Sequence, residues 1–178
     1  MKEIAQIRKL SLWIFFIPFI SINICLIISQ NYQWLENSIF SVDMIGRSGF
    51  SIPYLDGSLS ISRASRTFPQ YLIFKPAMIL TSYLLIKYWI LNKEIVNSFE
   101  QNHKYIKKFV FFGIASAIAL TIHSIFLGIK FENDLYKLFR RVIMLSFIIF
   151  EIVAQAYLVA SFYSFRNKLI NYINNKIL

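Results

Sequence analysis

The chain has 178 residues, 57% of them hydrophobic, with 19 Lys+Arg against 9 Asp+Glu for a formal net charge of +10. A soluble domain of this size cannot hide so much apolar surface, because buried area grows too slowly with chain length. The single cysteine, Cys25, excludes an intramolecular disulfide and any cysteine-based metal cluster, and the basic residues flank apolar runs rather than forming an aromatic-interleaved patch, which sets nucleic acid aside as a partner.

The apolar residues fall into four runs of roughly 20 residues, the length that crosses a hydrocarbon core of about 30 Å at 1.5 Å per residue. This predicts an all-α fold: a polytopic transmembrane helical bundle of four spans, forming one membrane domain over residues 1–178. The head MKEIAQIRKL is short and basic. Span one covers residues 10–29. It is too long for a cleaved signal peptide, no A-x-A site follows it, and Ile24 stands before Cys25 where a lipoprotein has a small residue. Pro18 near its middle predicts a kink, and Cys25 reads as a small buried hydrophobe.

Residues 30–70 form a polar loop punctuated by Gly46, Gly49, Pro53 and Asp56-Gly57, with SLSIS alternating like a short strand. At about 40 residues it exceeds a simple connection, and long ordered loops usually carry function. Span two covers residues 71–91 and holds Lys75 and Lys87 near its ends. They are separated by about 18 Å of helix, and each ammonium can reach outward to an interface. A basic loop, NKEIVNSFEQNHKYIKK, leads to span three at 109–128. A short connection then makes span four, at 142–163, its antiparallel neighbour. The tail, residues 165–178, places Phe165, Leu169, Tyr172, Ile173 and Ile177 at helical spacing and reads as an interfacial amphipathic helix.

Loop charges set the expected orientation. Lys2, Arg8, Lys9, Lys93, Lys104, Lys107, Lys108, Arg166, Lys168 and Lys176 fall on one side. Arg47, Arg63 and Arg66 of the long loop and Lys130, Lys137, Arg140 and Arg141 of the short one fall on the other, and the long loop counts for less in this rule. Both termini are therefore expected to be cytoplasmic and the first loop extracytoplasmic, in a plasma or inner membrane.

Four residues with amide, imidazole or carboxyl side chains fall within the spans. Glu151 stands ten residues after Arg141, about 15 Å deep and near the midplane. A carboxylate there must face protein or water, carry a proton, or have a partner. Gln155 lies one turn on, on the same face. His123 and Asn23 fall at similar heights in the outer third. If the helices converge, Asn23, His123, Glu151 and Gln155 line a polar interior below the outer loop. Taken singly, a protonated Glu151 is hydrogen-bonding glue and His123 a satisfied packing residue. Gly113, Ala117, Thr121, Ser124 and Gly128 form a small-residue stripe along span three. Such a stripe suits close packing within the bundle or, as a sharper reading, a homo- or hetero-oligomer.

No nucleotide loop, HExxH or GxSxG occurs, and His103 and His123 lie at different depths, so no metal site and no cofactor are expected. A Ser-His-Glu triad is arithmetically possible, but spacing selects no serine, and no catalytic residue is assigned.

The first loop resembles that of the Frag1/DRAM/Sfk1 family, also described as the CWH43-like N-terminal domain. Pro53-Tyr54-Leu55-Asp56-Gly57 is similar to that family's Pro-aromatic-Ile-Ser-Asp-x-Gly motif, Phe68 stands as the aromatic at the entry to span two, and Glu151 as the glutamate of the last span. The resemblance implies lipid handling, with membrane lipids as partners. Pro53, Tyr54, Asp56 and Gly57 would shape the outer loop, and Arg63 and Arg66 would meet headgroup phosphate, since Arg binds phosphate in a bidentate way. Two alternatives stay open: a membrane-embedded lipid-modifying acyltransferase or hydrolase using His123 or Asp56, and a small accessory subunit of a membrane complex.

Overall fold

The computed structural model describes residues 2–35, 38–40, 64–129 and 134–166. Four long helices occupy most of them: α1 (Lys2–Gln30), α2 (Gln70–Phe99), α3 (Ile106–Phe126) and α4 (Asp134–Ser164), with a 3-10 turn at Tyr32–Leu35 after α1. Among the described residues there is no strand; SLSIS and most of the first loop lie outside them.

The helices outrun the expected spans. The basic head belongs to α1, the first two turns of the expected second loop continue α2, and α4 starts two turns before the expected span four. Lipid thickness sets the length of the apolar run, whereas the helix ends where its flanks stop favouring helix. Neither KEIAQIRKL nor LNKEIVNSF contains Gly or Pro. Glu3 and Asp134 lie in the first turns of α1 and α4, where the macrodipole favours acid, and Asp134 pairs with Lys137 at 2.8 Å. After α2 the chain breaks at Glu100, which is extended, and at Asn102, which takes φ +58°. Pro18 and Pro76 sit inside α1 and α2, which continue through them.

Three of the four helices, α1, α3 and α4, are long and apolar enough to cross a membrane, which points to an integral membrane protein. The fourth, α2, is the inner helix, and its composition differs for that reason. Its buried residues are Gln70, Phe74, Met78, Thr81, Ser82, Leu85, Trp89, Asn92 and Val96. They recur every three or four positions along one face, the spacing of an inward stripe.

The helices pack in chain order, α1 on α2, α2 on α3 and α3 on α4, with slight contact between α2 and α4. Two cores result, offset along the central α2–α3 pair. At the end nearest the first loop, Cys25 of α1 joins Phe74, Met78, Leu85, Ala117, Leu120 and Leu127. At the opposite end, Ala154, Leu158 and Phe165 join Trp89, Val96, Ile106 and Phe109. Only the second halves of α1 and α4 contribute fully buried residues: Ser21, Cys25, Leu26 and Ser29 from α1, and Ala154, Leu158 and Ser161 from α4.

Two glycines of the small-residue stripe have specific duties. A Cβ on Gly113 would come 2.3 Å from the Trp89 ring, so the indole seats against bare backbone there. Gly128 adopts φ +86°, which L side chains rarely take, and a Cβ there would lie 3.0 Å from the Arg66 carbonyl. Ala117 and Ser124 of the same stripe are fully buried within the chain.

Candidate functional site

A polar group midway along the helices is built across α3 and α4. Ser116 of α3 is fully buried, and its hydroxyl stands 2.6 Å from Glu151 Oε2 on α4. Gln155 donates from Nε2 to Glu151 Oε1 at 3.1 Å, one turn along the same helix. Tyr88 of α2 interacts through its hydroxyl with Gln155 and Asn92 and lies within the field of Glu151. The Asn92 amide donates to the Tyr88 carbonyl at 2.8 Å. Three helices thus meet at one polar chain, in surroundings where an unpaired polar group is costly.

The Ser116 hydroxyl has one hydrogen and two acceptors in reach, Glu151 Oε2 and the Gly113 carbonyl at 2.8 Å. Ser116 donates toward Glu151 Oε2 or the Gly113 carbonyl, and Glu151 Oε1 accepts from Gln155.

Of the four residues expected to line a polar interior, Glu151 and Gln155 are directly bonded. Asn23 donates to the Phe19 carbonyl of its own helix at 2.8 Å, on α1, which packs along α2. His123 lies seven residues beyond Ser116, about 10 Å along α3, and faces Arg140 instead. Ser116 is the partner that the sequence reading missed. Depth would have found it: eight residues past Lys108 it lies about 12 Å deep, close to the level of Glu151.

A second polar group closes the end nearest the first loop. Gln70, fully buried, turns its amide nitrogen toward Thr67 Oγ1 (3.0 Å) and the Phe68 carbonyl (3.0 Å), while its oxygen accepts from Ser29 Oγ at 3.2 Å. The Gln70 carbonyl also takes the Cys25 thiol at 3.5 Å, which agrees with Cys25 as a buried packing residue. The C-terminus of α3 is capped by its neighbours. Lys75 Nζ of α2 donates to the Ile125 carbonyl at 3.2 Å, and Tyr136 of α4 donates to the Phe126 carbonyl at 2.6 Å. Lys75 therefore ends a helix as well as reaching toward an interface. His123 Nδ1 and Arg140 Nε, at the same end, are buried without hydrogen-bond partners.

At the opposite end His103 is buried, which its loop position did not announce. Its Nδ1 is 3.2 Å from Glu100 Oε2, and its ring stands edge-on to Phe165 (5.0 Å) and Tyr105 (5.4 Å). Phe165, expected on the lipid-facing side of the tail, instead joins this core. The rest of the tail lies outside the described residues.

Pro53, Tyr54, Asp56, Gly57 and Arg63 of the outer-loop motif also lie outside them; Arg66 is described and exposed. Among the described residues no group of three His, Cys, Asp or Glu side chains could hold a metal ion. Comparison with known proteins returns no matching family model, no similar curated protein and no similar solved structure.

Proposed function

We propose that the chain is a four-span integral membrane protein that engages anionic lipid headgroups at the end nearest its first loop. The observation that carries this reading is a pair of basic–aromatic girdles at the two ends of the helices. At the first-loop end Lys75 lies over Tyr71 at 5.2 Å and Arg140 over Tyr136 at 5.9 Å. At the other end Lys104 lies over Tyr105 at 4.7 Å and Lys108 over Tyr157 at 5.2 Å. Tyr136 and Tyr157 bracket about 31 Å of α4, the thickness of a hydrocarbon core. Basic and aromatic side chains gather at the two interfaces of such a slab.

The same geometry supports α2 as the fourth span. It lies packed between α1 and α3, both apolar enough to cross, and a short turn at Glu100–Tyr105 joins it to α3. Lys75 falls in the first-loop girdle, and the helix's polar residues Gln70, Thr81, Ser82 and Asn92 are buried against protein.

The first-loop end holds Arg66, Lys75, Lys137, Arg140 and Arg141 among its described residues, against Asp134, which is taken by Lys137. Such an excess attracts anionic headgroups, by roughly 1 kcal/mol per basic residue near the surface. The resemblance of Pro53-Tyr54-Leu55-Asp56-Gly57 to a lipid-handling family points the same way. The test is native mass spectrometry of detergent-purified protein supplied with equal phosphatidylglycerol and phosphatidylcholine. Preferential retention of phosphatidylglycerol is expected. Equal retention of the two lipids removes the headgroup reading.

A further inference from the structure

We propose that His123 and Arg140 form an oxyanion-binding subsite between α3 and α4, taking a single phosphate group at headgroup depth. The inference rests on the headgroup reading above and assigns it to particular atoms. His123 lies in the last turn of α3 and Arg140 in the second turn of α4, where the Arg140 charge acts on the His123 ring and the ring engages the Arg140 backbone carbonyl. His123 Nδ1 and Arg140 Nε are both buried and have no hydrogen-bond partner. Buried polar nitrogens are nearly always paired, so these two orphans on packed helices mark a missing acceptor, one for the Arg140 N–H and one for His123 Nδ1 when a bound anion holds the ring as imidazolium, whose other N–H faces the Arg140 carbonyl.

The surroundings specify the kind of acceptor. The negative pole of α3 draws cations to its C-terminus, but its Ile125 and Phe126 carbonyls are already taken by Lys75 and Tyr136. Neither carbonyl is bonded to Arg140 Nε or His123 Nδ1. Asp134, the described acid at this end of α4, is exposed and bound to Lys137. Arg140 stacks on Tyr136, which holds the guanidinium plane. A fixed guanidinium beside an imidazole N–H presents donors in the pattern that suits phosphate oxygens, where charge-assisted bonds are strongest. The oxyanion has two possible sources, the phosphodiester of a membrane lipid and free inorganic phosphate.

Arg140→Gln and Lys137→Gln each remove one positive charge from the same end of α4, so comparing them separates a built site from a diffuse field. In native mass spectrometry, phosphatidylglycerol should bind Arg140→Gln about tenfold more weakly than wild type, the equivalent of about 1.4 kcal/mol. Lys137→Gln should stay within about twofold, because its charge is exposed and screened. Equal losses in the two variants overturn the subsite, as does no loss in either. If phosphatidylglycerol keeps its preference over phosphatidylcholine in Arg140→Gln, the subsite fails while the headgroup reading stands; if wild type shows no preference, both fail. Should Arg140→Gln not fold, the wild-type His123 ring is followed by nitrogen NMR. Its signals should move when phosphatidylglycerol or inorganic phosphate is added. Movement with lipid alone assigns the phosphodiester, movement with both assigns any phosphate, and movement with neither overturns the proposal.

Discussion

Glu151 and Ser116 meet across the α3–α4 interface with 2.6 Å between carboxyl and hydroxyl oxygens. The contact is midway along both helices, and Ser116 is sealed from solvent and lipid alike. It joins the otherwise apolar α4 to α3 by direction as well as by packing. In a bilayer helices gain nothing from the hydrophobic effect on meeting, so hydrogen bonds and shape decide which faces pair.

This pairing predicts that Glu151→Gln is nearly silent. The amide keeps an oxygen and an N–H in place of the acid's two oxygens and O–H. Unfolding in detergent should therefore shift by less than about 1 kcal/mol, within the range of intramembrane hydrogen bonds. Glu151→Leu strands Ser116 and Gln155 and should cost about 1–2 kcal/mol. A Gln variant as unstable as the Leu variant would show that the carboxyl must be ionised to hold the interface.

Trp89 and Gly113 make the second test. Gly113→Ala drives a methyl into the indole, at 2.3 Å from the ring, and should cost about 1–3 kcal/mol. Trp89→Ala opens a cavity and should cost about 3–5 kcal/mol. The double variant should be more stable than the sum of the two losses, since the added methyl enters the vacated space. Strict additivity in thermal unfolding would mean that the two residues do not share a site.

The caps on α3 predict a local effect. Tyr136→Phe removes the hydroxyl that serves the Phe126 carbonyl, and Lys75→Met removes the ammonium that serves Ile125. Each should cost about 1 kcal/mol, the usual net value of one hydrogen bond. Hydrogen exchange should rise at the end of α3 and remain unchanged near Trp89. A uniform rise along all four helices would assign these residues to the global fold instead.

Orientation is tested by thiol labelling in intact cells. In a Cys25→Ser background, Ser58→Cys should react with a membrane-impermeant reagent, and Gln101→Cys, in the exposed turn after α2, should not. The reverse pattern would invert the topology and move the headgroup site to the cytoplasmic face.

Much of the helical layout was legible because its determinants are local. Apolar run length marked α1, α3 and α4 as candidate spans. The i, i+4 spacing of Gly113 and Ala117 correctly signalled close packing. The helix ends were less legible, because polar flanks without Gly or Pro extend α1, α2 and α4 past the apolar limits.

What the linear chain determined is therefore helix type and the apolar runs that mark candidate spans, since these depend on a residue and its near neighbours. Which polar groups meet was decided only by the tertiary structure. His123 was grouped with Glu151 in one polar interior, yet it lies beside Arg140, and Ser116 is the residue that meets Glu151. His103 reads as a loop residue and is buried under Phe165, and Lys75 reads as a snorkelling cation and also caps a neighbouring helix. Each outcome depends on how helices are rotated and registered against one another. That register follows from side-chain shape at the contacts, such as an indole seated on a bare glycine, and no periodicity in one helix encodes it.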